Sequence, residues 1–436
     1  MAARPHDDAR DLIAFLDASP SPYHAAETAA ARLEEAGFVR LDPRDDWSDH
    51  TSGAFLVVQG GALVAWRLAG AEALDVGFRI VGAHTDSPNL RIKPRPDTGR
   101  AGYRQLGVEV YGGALLNSWL DRDLGLSGRV AVRGSTNTGG HRNDPETRLL
   151  RVDRPLLRVP QLAIHLDRGV NENGLKLNAQ QHLAPVWGLG RPDEHGFSSF
   201  LIEELGVGRA NILAWDVMVH DLTPATLLGR DEGLLASGRL DNLLSCWAAT
   251  SALTAAGDDG RGVPVICLYD HEEIGSESAT GAAGSILATL LERIAATAGR
   301  DRDGYLRALA ASSCLSADGA HATHPNYAER HEPDHPIAID GGPVLKLNAN
   351  VRYATDATGA AIVRLAAERA GVPLQQFVTR TDLPCGSTIG PITAARLGIT
   401  TVDVGAPQLS MHSARELCAA GEPHRLRRLL AAYFEG

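Results

Sequence analysis

The chain has little that would tie it to an oxidising compartment, a nucleic acid or a membrane. Its five cysteines, Cys246, Cys267, Cys314, Cys385 and Cys418, are scattered over 436 residues without paired spacing, so they read as buried small hydrophobes in a reducing compartment. Basic residues are outnumbered, 42 Lys+Arg against 53 Asp+Glu, and the net charge of -11 argues against nucleic acid or an anionic membrane as partner. No uninterrupted apolar stretch reaches bilayer-spanning length, and Met1 to Asp8 carries no apolar signal core; the expected location is cytoplasmic. Internal repeats, low-complexity tracts and a phosphate loop are missing too. Gly281-Ala282-Ala283-Gly284-Ser285 lacks the lysine of a P-loop and reads as the start of a helix. What is present is more chain than one ordinary core accommodates, so two domains are expected.

The chemistry-bearing residues stand at the ends of apolar segments. Val263 to Tyr269 (VPVICLY) has the continuous apolar, β-branched texture of a strand covered on both faces, and Asp270-His271-Glu272-Glu273 follows it. Open α/β sheets place ligands at the carboxyl ends of their strands. Adjacent side chains leave the backbone in different directions, so Glu273 can bind a cation while Glu272 stays free to take a proton from water. His84-Thr85-Asp86 follows the strand Phe78 to Ala83, with Asp86 spaced to hold the second imidazole nitrogen. Asp241 precedes the helix-like Leu243 to Leu253, where a helix cap is the ordinary alternative. Asp318 follows the apolar-leaning Leu306 to Leu315, and His412 follows the run Thr400 to Gly405. Together His84, His412, Asp241, Glu273 and Asp318 supply ligands for two metals, with Glu272 to spare. Nitrogen and oxygen donors without thiolate suit zinc, manganese or cobalt, and a carboxylate shared by cations roughly 3.5–4 Å apart is the arrangement of hydrolytic two-metal sites.

The organisation reads as an interrupted α/β domain. Asp8 to Leu16 and Tyr23 to Ala36 are expected helices, the second opened by Ser21-Pro22, and Ala54 to Val58 and Ala62 to Trp66 are expected strands. From about Lys93 to Leu228 short β-prone runs (Gly107 to Tyr111, Gly128 to Val132, Thr147 to Val152) alternate with turn clusters such as 135–144. Helices and apolar strands then resume, with helices expected at Ala283 to Ala298 and Pro423 to Phe434. The expected fold is therefore α/β, a mixed-sheet catalytic domain (1–92 and 229–436) with helices on both faces, interrupted by a β-rich domain (93–228).

These segments resemble the aspartyl aminopeptidase family of dinuclear zinc metallopeptidases, essentially end to end. The resemblance is carried by Ser19 to His24, His84-Thr85-Asp86-Ser87-Pro88, Val108 to Gly113, Trp119 to Leu126, Leu162-Ala163-Ile164-His165-Leu166, Leu240-Asp241-Asn242, Asp270 to Ser276, His321 to Tyr327, Lys346 to Asn350 and Met411-His412-Ser413-Ala414-Arg415-Glu416. Gly319 and Gln161 depart from the family pattern without removing a ligand. The resemblance implies that His84 and Asp318 hold one zinc (or manganese or cobalt), Glu273 and His412 a second, and that Asp241 bridges them. It makes Glu272 the general base and Asp86 the support of His84. It also implies that His165, His321, Lys346 and Tyr353 contact substrate, His165 from a neighbouring subunit. For Lys346 and His165 the plain alternatives are a snorkelling surface lysine and a strand histidine with one solvated face. The implied reaction removes single N-terminal residues, preferably Asp or Glu, from peptides with a free N-terminus. A water shared by the two cations loses its proton to Glu272 and attacks as hydroxide. The resemblance further implies a β-rich domain that makes dimers, which assemble into a tetrahedral homododecamer. A same-fold enzyme preferring neutral or basic N-terminal residues, and a non-catalytic assembly protein, are the rivals. Cys385 lies in Leu383 to Thr388, a segment resembling a loop near the site, but a lone cysteine is poor ground for a nucleophile.

Overall fold

The computed structural model describes residues 5–134, 145–192, 196–208, 211–257 and 261–436; the turn cluster expected at 135–144 lies outside them. Contacts divide the chain into two compact units. The first comprises Met1–Asp86, Ala225–Met411 and Glu416–Gly436, and the second comprises Ser87–Pro224 and His412–Arg415.

The described residues of the first unit include a nine-stranded mixed sheet. Its spatial order is Val39–Arg40, Gly53–Gln59, Ala62–Leu68, Val263–Tyr269, Phe78–His84, Ser313–Ala317, Thr400–Gly405, Val344–Leu347 and Gln375–Val378. Four central neighbours, Val263–Tyr269, Phe78–His84, Ser313–Ala317 and Thr400–Gly405, run parallel, so their carboxyl ends share one edge. Period-two alternation sends successive side chains to opposite faces, and each face has its own core. Val81, Ala83, Ile266 and Leu268 pack with Leu243, Leu244, Leu426 and Leu429 of the helices Leu240–Ala255 and Glu422–Phe434. Ile80, Val265 and Cys267 pack with Leu287, Leu290 and Leu291 of the helix Ile286–Thr297. Helices on both faces remove the sheet from water, which is why Val263–Tyr269 is buried at every residue. Helix ends are set locally. Ser21 is extended and its side chain accepts the His24 N–H, with Pro22 in the first turn of Pro22–Glu35, a cap worth about 1 kcal/mol. The segment expected to be apolar from Leu306 to Leu315 divides instead into the helix Arg302–Ala310, capped by Asp301, and the strand that leads to Asp318. A smaller five-stranded sheet joins Thr226–Leu228, Leu234–Ser237, Glu416–Ala419, Pro407–Leu409 and Ala320–His321.

The second unit is built on a six-stranded antiparallel sheet ordered Pro145–Leu157, Leu124–Arg133, Ile212–Asp221, Asn89–Arg100, Tyr103–Tyr111 and Val186–Leu189. One face carries the core, where Leu106, Leu126, Val130, Val217 and Val219 meet Phe197 and Leu201 of the helix Phe197–Leu205. Residue 93 falls within Asn89–Arg100, a strand paired along both edges in this sheet. Gly128 is required where it stands: its φ is +149°, and a Cβ would lie 2.1 Å from the Asp216 carbonyl oxygen of the neighbouring strand.

Candidate metal centre

The centre begins with register. His84 is paired with Tyr269, the last residue before Asp270, and Ser316 is paired with Gly82, so the residues that follow Ala317 come level with His84. Three chain segments thus leave the sheet side by side, carrying His84, Glu272 with Glu273, and Asp318. Asp241 comes from a helix packed on these strands, in two residues of non-helical backbone at the head of Leu240–Ala255. Its N–H donates to Glu416 Oε2 at 3.0 Å, and its Oδ1 faces the His84 imidazole.

His84 is the hub. It is 1% exposed, with Nε2 at 3.4 Å from Asp241 Oδ1, 3.5 Å from Asp318 Oδ2 and 3.9 Å from Glu272 Oε2. The opposite nitrogen, Nδ1, lies 3.0 Å from the Asp86 carbonyl oxygen and 3.5 Å from Asp86 Oδ1. That contact orients the ring with Nε2 toward the acids. Asp86 has a second task that sequence spacing does not reveal: its two carboxylate oxygens accept the N–H groups of Glu272 and Glu273, each at 3.1 Å. One buried carboxylate therefore positions both the imidazole and the Glu-Glu turn. Donor atoms of His84, Asp241 and Glu273 all lie within 4.8 Å of one another.

The electrostatics need positive charge. Burial, reinforced by Asp318, Asp241 and Asp86 and opposed by His84, pushes the Glu272 carboxyl up to about 8. Burial and Asp241 hold Glu273 well above the carboxylate range. Burial works to depress the His84 imidazole, but hydrogen bonding to Asp241, Asp318 and Asp86 overrides it and holds the ring well above its ordinary value. A cluster of acids around one imidazole, all nitrogen and oxygen donors, fits hard or borderline divalent cations such as zinc.

The first unit brings together His84, Asp86, Asp241, Glu272, Glu273, Asp318 and Lys346. Lys346 is 2% exposed, so it is no snorkelling surface lysine; its Nζ donates to Asp318 Oδ1 at 3.1 Å and to the Gly319 carbonyl at 3.0 Å. Tyr353 is buried beneath it, the ammonium 5.0 Å from the ring centroid, and burial first, then Cys385, keeps the phenol protonated far above neutrality. His321 is exposed on the two-residue strand Ala320–His321. His165 and His412 belong to the second unit. His412 takes a left-handed φ of +67°, and its Nδ1 lies 3.1 Å from the Gly113 carbonyl oxygen, a contact that assigns the lone pair to Nε2. His165 lies in the exposed 3-10 turn Ile164–Leu166; the strand alternative fails because Leu166 N–H bonds back to Ala163 and Asp167 N–H to Ile164, closing a turn. Phe377 carries no motif signal, and Glu416, although it closes the segment Met411 to Glu416, gives no sign in sequence of its contact with Asp241, because these contacts bridge residues far apart in the chain.

The family model for aminopeptidase I zinc metalloproteases (M18) matches residues 15–434. The probable M18 family aminopeptidase 2 of Streptomyces coelicolor is 54% identical over 99% of this chain and 98% of its own. A chain in the cryo-EM structure of the Ape4 and Nbr1 complex superposes with a TM-score of 0.92 at 36% identity, covering 98% of this chain and 85% of that one. The S. cerevisiae mApe1 dodecamer supplies another likeness, with a TM-score of 0.83 at 28% identity over 99% of this chain and 97% of that chain.

Proposed function

Since this chain belongs to the M18 family of zinc metalloproteases and is a metal-dependent aminopeptidase, we propose that it removes single N-terminal residues, by preference Asp or Glu, using two divalent cations and Glu272 as general base. The observation that carries the reading is the imidazole of His84 facing Asp241, Asp318 and Glu272 with Glu273 beside them. In this proposal His84 and Asp318 hold one cation, Glu273 and His412 the other, with Asp241 between; His412 enters on its motif, Met411-His412-Ser413. A bound pair of divalent cations supplies Lewis-acid polarisation of the scissile carbonyl and the positive charge that keeps Glu272 ionised despite its burial.

The chain's own groups do the rest. Glu272, its backbone fixed by Asp86, takes a proton from the attacking water and later returns it to the leaving amine. His321 and Tyr353 donate to the oxyanion that develops on the carbonyl, and Tyr353 suits the task because burial keeps its proton on. Exposed Leu162, Ile164 and Leu166 around His165 support its presentation to a neighbouring subunit, within a tetrahedral homododecamer built from dimers through the β-rich unit. The preference for an acidic first residue draws on the family motifs, with Lys346 or a histidine as the candidate cation. One observation favours the alternative of a neutral first residue: the Lys346 ammonium is already paired with Asp318.

Glu272→Gln tests the reading. We expect kcat to fall by about 10²–10⁴-fold, the range of a lost general base, with bound zinc per subunit unchanged by elemental analysis. Turnover near wild type would remove Glu272 as base. A panel of Asp-, Glu-, Ala- and Arg-peptides assayed on the zinc-, manganese- and cobalt-loaded protein decides the first-residue preference and the metal.

A further inference from the structure

We propose that Phe377 is a positioning residue of the aminopeptidase reaction, holding the His321 imidazole and the Tyr353 phenol on one wall of the site. The inference rests on reading the His84 and Glu272 cluster as the catalytic centre and deepens it.

Phe377 lies on Gln375–Val378, one of the two edge strands of the nine-stranded sheet, in register with Lys346 on the parallel neighbour. Gln376 before it is exposed, while Phe377 is buried. Its ring presents an edge contact in each direction. The His321 centroid lies 6.0 Å away at 61° and the Tyr353 centroid 6.3 Å away at 67°. Both are in the range of attractive edge-to-face pairs, which favour one relative orientation as well as contact. Ala320, Ile337 and Val344 close the cluster, with Cys385 packed at its margin. The Tyr353 ring also carries the Lys346 ammonium, and that ammonium holds Asp318. A continuous path therefore runs from His321 through Phe377, Tyr353 and Lys346 to a proposed metal ligand.

The backbone beside each ring is fixed independently: the Ala354 N–H donates to Oδ2 of the fully buried Asp403 at 2.6 Å, and the Ala320 and Ala322 N–H groups donate to the Ala406 and Gln408 carbonyl oxygens, each at 2.9 Å. His321 stands exposed on a strand of only two residues, with the Phe377 ring as its aromatic neighbour. An aliphatic side chain at 377 would fill space without offering a ring edge or face, removing the contact that favours one angle of the imidazole. Donors to an oxyanion act only in the transition state, so the loss falls on kcat and leaves KM nearly unchanged.

The test uses the metal-loaded full chain carrying Phe377→Leu, Phe377→Tyr, His321→Ala and the Phe377→Leu/His321→Ala pair, with metal content and melting temperature measured on each. We expect Phe377→Leu to lower kcat about 10- to 100-fold with KM changed less than about threefold, the size of effect a misplaced catalytic group produces. Phe377→Tyr, which keeps the ring, returns kcat to within about threefold. In the His321→Ala background Phe377→Leu costs little more, because the group it positions is already gone. Should Phe377→Leu not fold, Phe377→Met takes its place in the same cycle. Losses that multiply, or kcat within about twofold of wild type for a fully metallated Phe377→Leu, overturn the inference. The second result beside an inactive Glu272→Gln overturns it alone, whereas an active Glu272→Gln takes down the reading of the centre.

Discussion

His84 and His165 both lie in family motifs, yet they live under opposite physical conditions. His84 ends a strand enclosed on both faces, each ring nitrogen has carboxylate oxygens within 4 Å, and the helix behind it contributes the Cys246 thiol, which donates to its backbone carbonyl at 3.0 Å. His165 sits in a single 3-10 turn between exposed apolar neighbours, Leu166 being 75% exposed. The comparison teaches where the cost of organising a site is met. Around His84 the folding of the whole sheet fixes the clustered side chains, and the burial of apolar surface offsets the crowding of acids. Around His165 the turn is held by two local hydrogen bonds, so any precise placement of its imidazole has to come from a surface that covers Leu162, Ile164 and Leu166.

The largest effect that would sharpen this contrast is removal of the metal. Chelation should abolish hydrolysis and expose the electrostatic cost of the cage as a dependence of melting temperature on pH. The sign follows from Glu272. Its folded carboxyl is raised to about 8 while the unfolded one keeps its ordinary value near 4.5. The unfolded chain therefore gains by ionising first. Stability of the chelated protein is fully present below the ordinary carboxylate range and is lost as pH rises toward about 8. We expect the melting temperature of the chelated protein to drop by several degrees, to order of magnitude, between pH 5 and pH 8, and zinc to restore it. A melting temperature indifferent to pH over that interval would mean that the acids are not crowded without their cations.

Lys346 comes next in size. Lys346→Met preserves length and apolar volume but removes the charge that holds Asp318, so the expected outcome is a loss of metal affinity or turnover of about 10–100-fold, the range for partners of metal ligands. The loss should be equal on Asp-, Glu- and Ala-peptides. A loss confined to acidic substrates would show the ammonium reading the substrate and would place it on the adaptable side of the comparison.

How much of this was legible beforehand differs by environment. Val263 to Tyr269 declared itself because burial on both faces leaves a continuous apolar run, and the acids after it stood out for the same reason. In the second unit the strands read short: Gly107 to Tyr111 is Tyr103–Tyr111, and Thr147 to Val152 is Pro145–Leu157. One face of that sheet meets water, and its polar alternate residues resemble loop. For Asp241 a helix cap was the ordinary alternative to a ligand, because Leu243 to Leu253 is helical. Its place beside His84 depends on two non-helical residues and on Glu416, which pairs across the small sheet with Ser237. Lys346 between apolar neighbours was ambiguous until its partner, 28 residues earlier, was in place. Local pattern reports which residues are buried; which buried polar groups meet is set by long-range register.

The smallest effect on the fold, and the sharpest on the comparison, belongs to Leu166→Asp. Because Leu166 is mostly exposed in a turn held by backbone hydrogen bonds, its replacement should change folding stability by no more than about 0.5 kcal/mol, the range for surface positions away from special features. If the apolar segment meets a second copy of the chain, the same change places a charge against apolar surface and shifts the protein toward smaller species in analytical ultracentrifugation. Loss of assembly with an unchanged melting temperature of the dissociated chain would show that this segment, unlike the His84 cage, acquires its order from association. Loss of folding stability well beyond that range would instead tie the turn to the interior of its own unit, and the contrast drawn between the two histidines would fail.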